Sequence, residues 1–279
     1  MSVQPKVFFI GAGPGDPELL TLKAARLIAE AGLVLYAGSL VSAEVMAHAR
    51  PDARVVDSSG LTLEETHALL VKTVRGGQSA ARVHTGDPSL YGAVREQARL
   101  LERDGVPWEV VPGVTAAFAA AAEAGVSFTV PELTQTLIVT RLAGRTPVPE
   151  RETLAGLAAH GAAMAVYLSA GDAPRLRDGL LAGGYPPDTA VVIGHRIGWP
   201  GGRVLRTTVA KLADAAREAS IGRQAVFLVL PGKADTEARS KLYDPDFGHG
   251  YRRGGADGDA ARCEADEGPG AFPRAKGAE

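Results

Sequence analysis

Five short runs rich in β-branched and aromatic residues, at 7–10, 33–36, 54–56, 82–84 and 108–111, alternate with amphipathic helical stretches. That alternation leaves the chain little freedom. Strands that all run the same way cannot be joined by hairpins, so each intervening helix must cross over a sheet, and repeated βαβ units give a parallel sheet covered by helices. The helices carry readable punctuation: Thr21 has N-cap chemistry with Gly32 as a stop, and Thr62 with Glu65 has the spacing of a capping box. Pro112-Gly113 closes this half, and an Ala-rich helix over 115–124 leads away from it.

The second half repeats the theme, with strands expected at 137–140, 165–168, 190–193, 204–207 and 225–230. Helices are expected near 150–160, 173–182 and 209–220, the last two starting on Asp172 and Thr208. The strand at 204 follows the one at 190 after only a Gly/Pro-rich turn, which predicts an antiparallel pair and hence a mixed second sheet. The expected fold class is therefore α/β: an N-terminal domain over 1–113 with a parallel sheet, a C-terminal domain over 114–235 with a mixed sheet, and a ligand cleft between them. The remainder, 236–279, reads as a tail, flexible beyond about 248, because 252–279 offers hardly any large apolar residue to offset its ordering entropy.

Composition narrows the partners. A formal net charge of -2 gives no broad basic field of the kind that binds nucleic acid. The single cysteine, Cys263, has no partner for a disulfide, a zinc knuckle or a redox pair. The longest apolar stretches, 114–126 and 225–230, fall short of the ~20 residues of a membrane helix, and the N-terminus lacks the order of features of a secretory leader. The expectation is a cytoplasmic protein with no membrane, nucleic-acid or metal partner.

Two loops carry the chemistry. Gly11-Ala12-Gly13-Pro14-Gly15-Asp16-Pro17 follows the first strand directly, where glycines let the backbone turn sharply and approach a ligand. A dinucleotide fingerprint would want glycine where Asp16 stands and a carboxylate at the end of the second strand, where Tyr36-Ala37-Gly38 is found. A Rossmann-type methyltransferase turn and a purely structural turn remain alternatives. His84-Thr85-Gly86-Asp87-Pro88-Ser89-Leu90-Tyr91-Gly92 follows the fourth strand and would line the same sheet edge, with Asp87 also suited to capping a helix that begins at Pro88.

These loops, together with Pro112-Gly113-Val114-Thr115-Ala116 after the fifth strand, resemble the tetrapyrrole methylase family from the N-terminus to about Leu230. Within it, the branch that methylates ring carbon 11 of precorrin-4 or its cobalt-bearing counterpart is resembled by Tyr36-Ala37-Gly38-Ser39-Leu40-Val41, Asp57-Ser58-Ser59 and Glu132-Leu133-Thr134-Gln135-Thr136. Gly144-Arg145-Thr146-Pro147-Val148-Pro149 and Leu242-Tyr243-Asp244-Pro245 fit the same branch. The resemblance implies a homodimer in the cobalamin pathway that binds S-adenosylmethionine and releases S-adenosylhomocysteine. It implies cofactor contacts from Pro14, Gly86, Asp87, Leu90, Thr115 and Ala116, and from Tyr167, Leu168, Val192 and Ala225 in the second half.

A sulfonium methyl is already an activated electrophile, so the work left to a protein is alignment of the acceptor carbon, and no side chain is assigned a catalytic role. His84, Asp87 and His195 are placed to act as an acid or base by position only. A polycarboxylate tetrapyrrole needs cationic partners, and Arg141, Arg145 and Arg196 are the candidates, with Trp199 able to pack on the macrocycle or in a core. Methylation at another tetrapyrrole position, as on uroporphyrinogen III, and a non-catalytic nucleotide-binding module are the competing readings.

Overall fold

A computed structural model describes residues 4–232 and 240–248. The first sheet holds β1 (Val7–Gly11), β2 (Leu33–Tyr36), β3 (Arg54–Asp57), β4 (Ala80–His84) and β5 (Trp108–Val111), all parallel, in the order β3-β2-β4-β1-β5. Its crossovers carry α1 (Leu22–Glu30), α2 (Ala43–Met46), α3 (Leu63–Arg75) and α4 (Val94–Arg103). The two-residue period of a strand sends alternate side chains to opposite faces. Phe8 and Ile10 pack with Leu27 and Ile28 of α1, whereas Val7 and Phe9 pack with Leu70 of α3 and Leu101 of α4. Both faces are thus covered, as an all-parallel sheet requires.

The chain leaves this sheet through α5 (Ala116–Ala124), which ends on Gly125 in the left-handed region. The second sheet orders β6 (Leu137–Arg141), β7 (Ala163–Tyr167), β10 (Ala225–Leu230), β8 (Ala190–His195) and β9 (Arg203–Thr208) side by side. Only the β6–β7 pair is parallel, so the sheet is mixed, and β8–β9 is the antiparallel pair expected from the short turn. Here α6 (Leu154–Ala158), α7 (Ala173–Ala182) and α8 (Leu212–Glu218) cover one face and α5 the other. The alanines of α5 let it sit close, with Ala117, Ala120 and Ala121 against Ala165, Val192 and Val226. No helix among the described residues is long and apolar enough to cross a membrane.

The caps at Thr21, Thr62 and Asp172 are formed, the second as a full capping box. Four local expectations need correction. Asp87 does not start a helix: its carboxylate closes a turn, the backbone at Tyr91 and Ala93 swings to positive φ, and α4 begins only at Val94. The stretch near 150–160 is split, because Thr153 is extended and caps a separate α6 through Gly156 N–H. Thr208 is not the cap of α8, since Val209 and Ala210 still donate to the carbonyls of Thr189 and Pro187, which delays the helix to Leu212. The strand expected to reach Leu168 ends at Tyr167, where Leu168 turns left-handed at φ 52°.

The chain divides into two compact units, 1–236 and 237–279. In the second, Ser240 caps a 3-10 turn, Lys241–Tyr243. The flexibility expected beyond about 248, and Cys263, lie outside the described residues.

Candidate functional site

The C-terminal ends of β1, β4 and β5 carry the three glycine-bearing loops, and they meet main chain to main chain. Ala12 N–H donates to the His84 carbonyl (2.7 Å), and Gly86 N–H donates to the Gly13 carbonyl (2.7 Å). A Cβ on Gly113 would lie 2.2 Å from Gly86 O and 2.8 Å from Gly11 Cα, so a side chain there cannot coexist with this contact. Asp87 stitches the loops further: Oδ1 accepts from Ser89 N–H (2.8 Å) and Oδ2 from Gly113 N–H (2.9 Å). Burial pushes the Asp87 carboxyl up, and the hydrogen bonds from Ser89 and Gly113 together outweigh it and hold it below its ordinary value.

These loops form one wall of a cavity of about 940 Å³, and the second sheet forms the other through the ends of β7 and β8 and the start of β10. Side chains join the walls. The Tyr167 hydroxyl lies 2.5 Å from Thr115 Oγ1 and accepts Ala117 N–H (2.9 Å), which satisfies an orphan donor at the start of α5. Burial raises the Tyr167 phenol, so the hydroxyl stays protonated. Trp199 Nε1 donates to the Pro14 carbonyl (3.0 Å), with the indole packed where a Cβ on Gly15 would fall. Gln224 Nε2 donates to the Ser39 carbonyl (2.8 Å), and Asp57 Oδ1 holds the same loop through Gly38 N–H (2.9 Å).

Among the described residues seven that are not glycine have positive φ, and five of them, Tyr91, Ala93, Leu168, Arg196 and Gln224, line this cavity. Such conformations cost on the order of 1–3 kcal/mol each and collect where a site holds groups in place. Leu168, 67% exposed, presents an apolar side chain beside Tyr167 in that strained state.

Of the residues the resemblance points to, Pro14, Gly86, Asp87, Leu90, Thr115, Ala116, Tyr167, Leu168 and Ala225 line this cavity. Val192 does not: it is buried under α5. Arg196 is on the wall, its guanidinium 5.4 Å above the Trp199 ring. Arg141 lies instead beside a smaller hollow of about 470 Å³, its guanidinium donating to the carbonyls of Leu142, Thr146 and Pro147. Arg145 sits exposed in the adjoining turn and lines neither. His84 is in the cavity wall, but burial first and the Arg82 charge second pull its imidazole down to about 3, so it is neutral at pH 7 and a weak proton acceptor. His195 is outside the wall, and burial lowers its imidazole as well.

Sequence reasoning passed over Arg82, Gln97 and Gln224 as wall residues. Arg82 left a readable signal: a cation in a strand that the βαβ pattern buries on both faces. Among the described residues no group of three or more His, Cys, Asp or Glu is placed to hold a metal ion.

A sequence profile of the tetrapyrrole (corrin/porphyrin) methylases matches residues 6–213. The chain is 47% identical over 253 residues to a cobalt-precorrin-4 C(11)-methyltransferase of Priestia megaterium, covering 89% of this chain and 98% of that one. It is 43% identical over 251 residues to a precorrin-4 C(11)-methyltransferase of Pseudomonas aeruginosa, covering 89% and 99%. Its fold matches the X-ray structure of a cobalt precorrin-4 methyltransferase at a TM-score of 0.79 and 46% identity, over 81% of this chain and 94% of that one. A uroporphyrin-III C-methyltransferase of Thermus thermophilus, complexed with S-adenosyl homocysteine, matches at 0.66 and 30% identity over 81% and 92%. Profile, relatives and fold agree with the glycine loops and the cavity they line: the chain belongs to the tetrapyrrole (corrin/porphyrin) methylases.

Proposed function

We propose that this chain methylates carbon 11 of precorrin-4, with cobalt-precorrin-4 as the alternative acceptor, and that S-adenosylmethionine is the methyl donor. The observation that carries the reading is the cavity, onto which Pro14, Gly86, Asp87, Thr115 and Ala116 of the three loops open, held together behind that wall by the side-chain-free contact of Gly11, Gly86 and Gly113. Its volume is near the upper end of ordinary small-ligand sites, which suits two ligands held side by side.

The residues present fit a nucleoside sulfonium. Pro14, Gly86, Leu90, Thr115 and Ala116 supply backbone and small side chains, and Tyr167 and Leu168 supply an aromatic and an apolar face. When bound, the cofactor supplies a methyl group already activated for transfer. The protein's part is to orient and to exclude water. Trp199 and Gln224 tie the second-sheet wall to the Pro14 and Ser39 carbonyls, which fixes the separation of the two walls. That fixed separation limits the poses in which an acceptor carbon can face the donor. Arg196, stacked on Trp199, presents a cation to an acidic acceptor from the second-sheet side.

We further place the enzyme in the cytoplasm as a homodimer. The lone cysteine supports a reducing compartment, and exposed Phe118 and Val139, both outside the cavity wall, offer apolar surface to a second copy. Light scattering tests the assembly. Incubation with S-adenosylmethionine and either precursor, followed by product mass and NMR location of the new methyl, tests the reaction. A methyl on any other ring carbon, or no turnover with either acceptor, overturns it.

A further inference from the structure

Arg82 stands in β4, the middle strand of the first sheet, on the face that α4 covers. Its Nε donates to Gln97 Oε1 (3.1 Å), and its Nη1 donates to Ser58 Oγ (2.8 Å) and the Leu35 carbonyl (3.4 Å). All three acceptors are neutral. Among the described residues Nη2 has no partner, and no carboxylate pairs with the guanidinium, although the residue opens on the large cavity. Burial alone pulls its pKa down to about 10, a shift that an anion beside it would oppose. The same wall carries a second unsatisfied group, because His84 is 8% exposed and its Nε2 is buried without a hydrogen-bond partner. A desolvated cation costs free energy unless an anion joins it, and a guanidinium without a counter-charge on the cavity wall, with the unpartnered His84 Nε2 buried on the same strand, marks where that anion goes.

We propose that Arg82 is the floor of a carboxylate-binding subsite, with Nη2 donating to a carboxylate oxygen of a ligand in the cavity and His84 alongside. Gln97 and Ser58 hold the guanidinium plane so that its remaining donors face the ligand. Two ligands of the function proposed above, on which this inference rests, carry that group: a tetrapyrrole with acetate and propionate side chains, and the amino-acid end of the sulfonium cofactor.

Calorimetry on the full chain separates them, with Arg82→Gln and the charge-keeping Arg82→Lys. The probes are S-adenosylhomocysteine, 5′-methylthioadenosine (which lacks the amino-acid end), and uroporphyrin III added to protein saturated with S-adenosylhomocysteine. Loss of about tenfold or more in uroporphyrin affinity for Arg82→Gln, with S-adenosylhomocysteine unchanged, assigns the tetrapyrrole carboxylate. A similar loss for S-adenosylhomocysteine, with methylthioadenosine unchanged, assigns the cofactor's. In either case Arg82→Lys should recover part of the loss, and it supplies the same constants should Arg82→Gln fail to fold. Unchanged affinities for every probe, with a lowered melting temperature, would make Arg82 a clamp between β2, β4 and α4 and overturn the subsite. Absence of turnover by the wild type overturns the function and leaves these affinities to decide Arg82 by themselves.

Discussion

On the first-sheet side of the cavity the wall rests on main chain: behind it Gly11, Gly86 and Gly113 touch backbone to backbone, and their loops exchange hydrogen bonds. On the second-sheet side it rests on side chains: Tyr167, Trp199 and Gln224 reach across to the loops, with Leu168 and Arg196 beside them, and Leu168, Arg196 and Gln224 stand on left-handed backbone. The first wall gets its shape from what is missing, a Cβ, and tolerates no addition. The second gets its shape from what is held against its preference, so it should tolerate loss better than gain. A ligand between them meets a template on one side and a set of adjustable contacts on the other.

The sharpest way to break this contrast is Gly113→Ala. The new methyl would fall 2.2 Å from Gly86 O, and since that neighbour is backbone the loops must part. We expect a loss of about 3 kcal/mol or more in chemical denaturation and no measurable cofactor binding. Gly60→Ala, in open space, is the control and should change stability by less than about 0.5 kcal/mol. Similar behaviour of the two variants would show that the first wall is not a template.

Tyr167→Phe tests the join from the other side. It strands the Ala117 N–H at the start of α5 and takes the partner from Thr115 Oγ1. A buried donor left open costs about 1–3 kcal/mol, and cofactor affinity should fall with it because Thr115 is freed to turn. A phenylalanine variant that melts with the wild type and binds normally would show that the two walls are held together elsewhere.

How far the walls could be read beforehand follows the same division. Glycine spacing after a β-branched run is visible in sequence because glycine is the only residue such a loop admits, and the capping box at Thr62 and Glu65 is visible because both partners are local. The start of helix α4 is not legible: its cap is Ala93 at φ 50°, with no side-chain bond, and alanine gives no local signal for a left-handed backbone. The turn at Leu168 is equally silent, since nothing in Tyr-Leu-Ser marks a left-handed leucine. Arg141 and Arg145 were singled out by motif alone, and only the fold shows that one is spent on three carbonyls while the other faces solvent. Arg82 was within reach, because charge in a buried central strand is a physical anomaly independent of any motif.

Asp87 sharpens the comparison through pH. Its folded carboxyl sits below the ordinary value of 3.8, so its contribution to stability is complete above that pH and is lost as pH falls through the lower folded value. Wild type should therefore lose stability more steeply than Asp87→Asn on going below about pH 4, the unfolded carboxyl titrating near 3.9. Parallel curves for the two proteins would mean that the Gly113 N–H and Ser89 bonds do not hold the charged form.

Leu168→Gly inverts the logic of the first wall. Glycine takes φ 52° without strain, and a side chain 67% exposed gives up little burial, so relief of strain should outweigh the added entropy of the unfolded chain. Stability should rise by a few tenths up to about 1 kcal/mol while cofactor affinity falls, the trade expected where a strained residue serves a ligand. Lower stability in equilibrium unfolding would show that Leu168 is packed for the fold and not for the cavity.

The smallest effect is expected at Arg145, and it is read against Arg196. Arg196 is on the cavity wall with a buried Nε that has no partner among the described residues, whereas Arg145 is in a solvent-exposed turn beside a different hollow. An exposed charge is screened by salt and its removal is usually worth under about 0.5 kcal/mol, so Arg145→Ala should leave stability and the apparent substrate constant within about twofold of wild type. Arg196→Ala should raise the substrate constant by about tenfold or more, with a weaker dependence on salt than wild type because the screened pair is gone. Both variants are read in the same steady-state assay at two ionic strengths. If Arg145→Ala proves the more damaging, the Gly144–Pro149 turn must reach the substrate, and the second-sheet wall would extend to the hollow beside Arg141.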